Sequence, residues 1–149
     1  MYGLGLDDPI LLRSNDKHYY YLKDIRSSVF ALYDEQAQLV EQYRYSSFGN
    51  YSIFNAEGDE LNQSQVGNPY GFTSRRWDQE TQLWNYRNRI YSSTLGRFLQ
   101  RDPAGYVDGL NLYAYVKNNP LKYTDAMGLT SQSVNEEQFN SPIISLYTS

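Results

Sequence analysis

With 149 residues the chain is long enough for one domain with a modest core and too short for two ordinary ones. It has no cysteine and one histidine, His18, which excludes disulfides, thiolate metal sites and histidine-cluster metal centres and makes a Ser-His-Asp triad improbable. A formal net charge of −4 argues against an electrostatic grip on nucleic acid or anionic lipid, and no apolar run approaches the roughly 20 residues that span a bilayer.

Sixteen tyrosines, six phenylalanines and two tryptophans must supply much of the core. Tyrosine buries a large ring, keeps a hydroxyl for a partner and favours pleated surfaces, so the composition reads as β. Residues 1–16 carry the turn signals Asp-Asp-Pro and Ser-Asn-Asp and are expected to be an irregular lead-in. The opening MYGLGLDDPILLRS has no basic region followed by an apolar run and is not read as a signal peptide. HYYYLKD and SVFALYD follow as short strand-like runs, then a polar turn over 35–38, then LVEQYRYSSFGN. In that last run Leu39, Tyr43 and Tyr45 share one face, with Glu41 an exception and Gln42 and Arg44 opposite. This period-two pattern predicts a hairpin unit over 17–54, with Gly49-Asn50 closing one turn and Tyr51–Phe54 starting another strand.

Residues 55–68, NAEGDELNQSQVGN, are polar and predict a long loop. Short strands resume in PYGFTSRRWD, LWNYRNRIYSS, LGRFLQRD and NLYAYVKNN. Asp34–Gln42 and Asp78–Gln82 have slight helical character but are too short and lack caps. From Thr130 the Ser/Asn/Glu-rich tail reads as mobile, with Ile143–Tyr147 a candidate edge strand. The expected fold class is all-β, a twisted antiparallel array of short strands and hairpins.

Taken singly, most polar signals have structural readings. Asp108-Gly109 is a turn dipeptide, Asn118-Asn119-Pro120 a chain reversal, and His18 a strand-end surface residue. Arg75, Arg76, Arg87, Arg89 and Arg97 are interspersed with aromatics, as in proteins that stack single-stranded nucleic acid. In a chain of this charge, cross-strand pairing and cation–π contact are the better reading. The tyrosine ladder suits a β core better than a sugar-binding groove. Asp102, before Pro103, and Asp125, before Ala126, are both placed as turn or cap residues.

At larger scale the residues match a family. HYYYLKDIRSSVFALYDEQAQLVEQYRYSSFGNY resembles a YD repeat: a tyrosine strand, an aspartate turn, a second strand, then Tyr-x-Tyr and Phe-Gly. Residues 69–129, from PYGFTSRRWD through GRFLQRDPAGYVDGLNLYAYVKNNP to TDAMGL, resemble the RHS repeat-associated core. The resemblance implies a piece of a large hollow β-shell whose core closes one end around a variable C-terminal cargo, often a toxin. It also implies self-cleavage after the Leu of a closing Asp-Pro-x-Gly-Leu motif by nearby aspartates. Carried over, the cut falls at Gly128-Leu129-Thr130, between Leu129 and Thr130, the candidate carboxylates are Asp102 and Asp125, and Arg101 is a candidate accessory group.

The chemistry is coherent on its own terms. Two carboxylates sharing a site do not both ionise easily, so one holds a proton while the other activates water, and a peptide is hydrolysed without metal, Cys or His. Gly128 permits a backbone that exposes the neighbouring carbonyl, and Leu129 offers an apolar anchor. A strand over Leu110–Val116 and its return would bring Asp125 back to Asp102. Arg101 either pairs with one aspartate, working against proton sharing, or polarises the scissile carbonyl, and the salt bridge is the simpler reading.

The chain departs from the family pattern at several turns: Ala126 and Gln79 replace Pro, Ser28, Ser74 and Gln82 replace Gly, and Ser92-Ser93 replace Asp-Pro. The 149 − 129 = 20 residues after Leu129, numbered 130–149, are too few for a folded toxin, so the chain reads as a terminal piece of the shell. The expected function is the core or plug of an RHS-type secreted shell with aspartate-dependent cleavage in cis. The alternative is a structural or binding β-module that has lost the cut. Expected partners are the rest of the shell, the cargo and other copies through strand edges, with neither nucleic acid nor membrane insertion. No cofactor or metal is expected, and the location is secreted or cell-surface, as part of a larger protein.

Overall fold

The structure, a computed structural model, describes residues 8–134. Six consecutive strands form the first sheet in chain order, each antiparallel to the next: β1 (Leu11–Ser14), β2 (Lys17–Lys23), β3 (Val29–Tyr33), β4 (Leu39–Tyr45), β5 (Tyr51–Asn55) and β6 (Glu60–Leu61). A second sheet holds β7 (Arg76–Asp78), β8 (Leu83–Tyr86), β9 (Arg89–Ser92) and β10 (Arg97–Phe98), again as sequential hairpins. β11 (Tyr123–Thr124) and β12 (Gln132–Ser133) pair as a short ribbon. Among the described residues there is no α-helix, and the all-β antiparallel class is as expected.

One turn design recurs through the chain. A side-chain oxygen at position i accepts the backbone N–H of i+4, while residue i+3 takes a left-handed backbone. It links Asp24 to Ser28, Asp34 to Gln38, Ser46 to Asn50, Asn55 to Asp59 and Ser64 to Asn68. The corresponding i+3 residues Ser27, Ala37, Gly49, Gly58 and Gly67 all have positive φ. Asn and Asp side chains close such loops by imitating a backbone acceptor.

The tyrosines build two cores. Tyr19, Tyr21, Val29, Leu32, Tyr43, Ile53 and Val66 cluster on the first sheet. Phe72, Trp84, Tyr86, Tyr91, Phe98, Tyr115 and Val116 form the second core, with Tyr45 and Tyr51 bridging from the first sheet. Most rings meet edge-on or tilted, as at Tyr86–Phe98 (centroids 5.5 Å, 87°), which suits their quadrupoles. The hydroxyls are matched too: Tyr45 donates to the Val29 carbonyl (2.7 Å) and Tyr91 to the Phe48 carbonyl (2.7 Å). The two sheets are stitched by the Ser74 hydroxyl on the Ser27 carbonyl (2.7 Å) and the Thr73 amide on the Ser28 hydroxyl (2.9 Å).

Several elements differ from expectation. The lead-in contains β1, because its aromatic neighbour β2 offers an open edge. The polar loop is interrupted by β6 and held down by a buried carboxylate. Glu41, the exception on its strand face, is fully buried and accepts from the Tyr43 hydroxyl, the Ser64 hydroxyl (2.9 Å) and the Gln65 amide (2.6 Å). The strand expected over Leu110–Val116 does not form. In its place stand a single Arg97–Ala114 bridge and two backbone bonds, from the Phe98 amide to Tyr113 and from the Asp102 amide to Leu112. Val116, Lys117 and Asn118 turn left-handed once Tyr115 has entered the second core. Ser74 and Gln82, standing where glycine is usual, both have φ of 57°, so the backbone keeps the glycine conformation without glycine. His18 meets the Glu35 carboxylate through Nδ1 at 2.5 Å. Of the tail, residues 130–134 are described, with Gln132–Ser133 in β12; Ile143–Tyr147 lies outside the described residues.

Candidate functional site

Asp102 and Asp125 are brought together, and the group between them is Arg89. β9 delivers Arg89 into the second core, where its guanidinium lies 3.6 Å from the centroid of Phe98. Nη1 reaches Asp102 Oδ2 at 3.2 Å and Nη2 reaches Asp125 Oδ2 at 3.2 Å, with all three side chains buried. Arg101 is exposed, so the pairing expected of it belongs to Arg89.

Asp125 opens another copy of the recurrent turn. Its Oδ1 accepts the amide of Leu129 at 3.0 Å, and Gly128 at i+3 has φ of 67°. This copy differs in two respects. The same oxygen also accepts the amide of Thr130 at 3.3 Å, which is the nitrogen of the expected scissile bond. The carboxylate is also buried, and burial pushes its pKa above the ordinary aspartate value against the opposing pull of the Leu129 and Thr130 amides and Arg89.

The segment before the bond is held by its carbonyls. Arg75 Nη1 donates to Ala126 (2.6 Å), Asn88 Nδ2 to Met127 (2.8 Å) and Arg89 Nε to Gly128 (2.6 Å). Gly128 lies flat on the β8–β9 turn, where a Cβ would come within 2.5 Å of the Tyr86 carbonyl oxygen. Asp102 is fixed by its own turn, accepting the Ala104 amide at 2.8 Å. Beneath the site runs a line of hydroxyls: Thr73 to Tyr86 (2.8 Å) and Tyr86 to Tyr115 (3.0 Å). Burial pushes the Tyr115 phenol up to about 12, so it stays protonated at neutral pH.

After the bond, Asp108 Oδ2 accepts both the backbone amide and the hydroxyl of Ser131, the latter at 2.7 Å. Sequence reasoning missed Arg89 and Asp108. Arg89 was one of five similar arginines, and Asp108-Gly carries the same local signal whether or not it binds something. The expected cation–π contacts are present, with Arg97 5.4 Å from the Tyr113 ring and Arg75 5.9 Å from that of Tyr86.

This fold and this closing turn define a segment of a YD-repeat β-shell. The Teneurin YD-shell profile matches residues 7–121, and the chain belongs to that family, the RHS/YD type that its sequence resembles. Toxin subunit YenC1 of Yersinia entomophaga is 33% identical over 124 residues, covering 83% of this chain and 12% of that protein. The tRNA3(Ser)-specific nuclease WapA of Bacillus spizizenii is 32% identical over 118 residues, covering 76% of this chain and 5% of that protein. The crystal structure of TcdB2-TccC3 superposes with a TM-score of 0.67 at 28% identity, over 78% of this chain and 5% of that one. The chain therefore spans a small part of these relatives.

Proposed function

We propose that this chain is the core segment of an RHS-type β-shell and that Asp102, Asp125 and Arg89 cut the Leu129–Thr130 peptide bond in cis. The observation that carries the reading is Asp125. One of its oxygens accepts from the nitrogen of that bond while the other shares a buried guanidinium with Asp102. In the proposed step, water adds to the Leu129 carbonyl carbon and the C–N bond breaks. Asp102 takes a proton from the water, and Asp125, whose protonated form burial favours, gives one to the departing nitrogen once addition to the carbonyl has ended its amide resonance and freed its lone pair. The products are a Leu129 carboxyl and a Thr130 amine. Arg89, in contact with both, keeps whichever carboxyl is ionised from standing as an uncompensated buried charge.

In this reading 17–54 is a YD-repeat unit, 69–129 carries the cut, and the segment after Leu129 is the cargo side. Partners are the rest of the shell and the cargo, and the whole acts outside the cell or on its surface. The edge strands β1 and β6 are where another repeat or another copy would pair. The relatives named as toxin subunits support this setting.

The second reading, a shell module without a cut, has one specific support. A bond equivalent to that from Leu129 to Asp125 closes five other turns, none of which is expected to be cut. Intact mass of the purified chain, with Asp102→Asn, Asp125→Asn and Arg89→Lys beside it, decides between them. If the wild type alone loses the 20 residues from Thr130 to Ser149, the cluster is a self-protease. If the folded wild type stays whole, the module reading stands.

A further inference from the structure

Asp108 presents its carboxylate to the backbone on the far side of the Leu129–Thr130 bond. It ends a short 3-10 turn, Tyr106–Asp108, flanked by Gly105 (φ 75°) and Gly109 (φ 131°). Tyr106, Val107 and Leu110 of this loop are 61%, 66% and 91% exposed, so burial of its apolar side chains does not hold the loop in place. Its Oδ2 takes both donors of one residue, the Ser131 amide and the Ser131 hydroxyl. From there the chain continues as β12, with Thr124 opposite Gln132, Tyr123 opposite Ser133, and the Val134 amide on the Lys122 carbonyl at 2.9 Å.

Three consecutive amides, those of Leu129, Thr130 and Ser131, are thus accepted by two aspartates from separate loops. Asp125 grips the nitrogen of the bond, and Asp108 grips the next nitrogen along. Asp125 holds the plane of the Leu129–Thr130 bond by its nitrogen and Asp108 holds the next peptide plane, so together they restrict the rotation about Thr130 that a single grip leaves free. The double acceptance at Ser131 also reads a side chain. A hydroxyl one carbon from the backbone satisfies both bonds, whereas alanine gives only the amide.

We propose that Asp108 is a positioning residue for the cut, and that its carboxylate, with the edge of β11, forms a seat for an extended segment with Ser or Thr second after the cut. The inference rests on the self-cleavage reading and deepens it. After hydrolysis the seat keeps residues 131–134 docked as a non-covalent strand, with the new Thr130 amine beside Asp125.

The test uses the full chain. Intact mass under denaturing conditions gives the cleavage rate, and amide exchange at Ser131 reports the seat. The variants are Asp108→Ala, Ser131→Ala, Ser131→Thr and the double alanine. Expected are loss of Ser131 protection and a rate loss of about tenfold or more in Asp108→Ala, the kinetic equivalent of one charge-assisted hydrogen bond. A smaller loss is expected in Ser131→Ala, recovery in Ser131→Thr, and no further loss when Ser131→Ala is added to Asp108→Ala. Unchanged Ser131 protection in Asp108→Ala overturns the seat. Lost protection with an unchanged rate overturns the positioning role. A wild type that stays whole overturns the self-cleavage reading and the positioning role with it, while Ser131 protection still decides the seat.

Discussion

Gly128→Ala tests whether the closing turn must lie on the β8–β9 hairpin. The added Cβ would come within 2.5 Å of the Tyr86 carbonyl oxygen and 3.3 Å of the Arg89 backbone nitrogen. Those are backbone atoms in a paired hairpin, so no rotamer change relieves the contact. A left-handed backbone costs an L-residue about 1–2 kcal/mol by itself. The turn must also lift, taking the Gly128 carbonyl from Arg89 Nε, and a hydrogen bond to a charged group is worth about 1.5–3 kcal/mol. The sum is about 2.5–5 kcal/mol of stability, read as a lower urea midpoint at constant slope. Cleavage should stop as well, because Thr130 leaves Asp125 when the turn rises. Gly67→Ala is the internal control: its φ is 72° and nothing lies within 4 Å of its Cβ, so it carries the backbone cost alone. If Gly128→Ala costs no more than Gly67→Ala and still cleaves, the packing argument is wrong.

Two further outcomes follow from the buried carboxylates. Asp125 is raised by burial, so its protonated form contributes stability that is full below the unfolded aspartate value of about 3.9 and is lost as pH rises through the native value. With Asp102→Asn as the background that keeps the chain whole, its stability advantage over Asp102→Asn/Asp125→Asn should shrink across that window in urea titrations. An advantage that grows with pH would show that Arg89 outweighs burial. Glu41→Gln should cost about 1–3 kcal/mol, since the amide turns a donor toward the Ser64 hydroxyl and Gln65 amide that the carboxylate now accepts. The loop over 62–68 should then be cut faster by added protease, and equal rates for both proteins would refute the latch.

The hairpins were legible because each strand is a short aromatic alternation bounded by Asp, Asn or Gly, and the turn chemistry follows directly from those residues. Asp102, Asp125 and Gly128 were legible through a long idiosyncratic motif. Arg89 was not, because it lies 102 − 89 = 13 residues before Asp102, in a hairpin whose other arginines look the same locally. What sets it apart is register: β9 pairs with β10 as Tyr91 with Phe98, and this carries Arg89 over the Phe98 ring toward both aspartates. Leu110–Val116 failed in the other direction. Its Tyr-x-Tyr alternation satisfies the strand pattern, but the demand of the aromatic core for the Tyr115 ring outweighed ladder pairing.

A turn residue and a catalytic carboxylate need not be alternatives for Asp125. The bond that closes its turn, from the Leu129 amide, is the bond that carries the carboxylate to the next amide along. In the five other turns the residue that supplies the accepting oxygen is half-buried or exposed, so water shares the work of solvating it. In the proposed cut, such a turn would be converted to chemistry by burial, a second acid and a cation that holds the two together, the parts that Phe98, Asp102 and Arg89 would supply. That is why Asp125→Asn discriminates better than Asp125→Ala. The amide oxygen can still accept from Leu129 and keep the turn, and what is removed is the group that titrates. An Asp125→Asn chain that stays folded and whole, beside a wild type that cleaves, separates the two roles in one side chain.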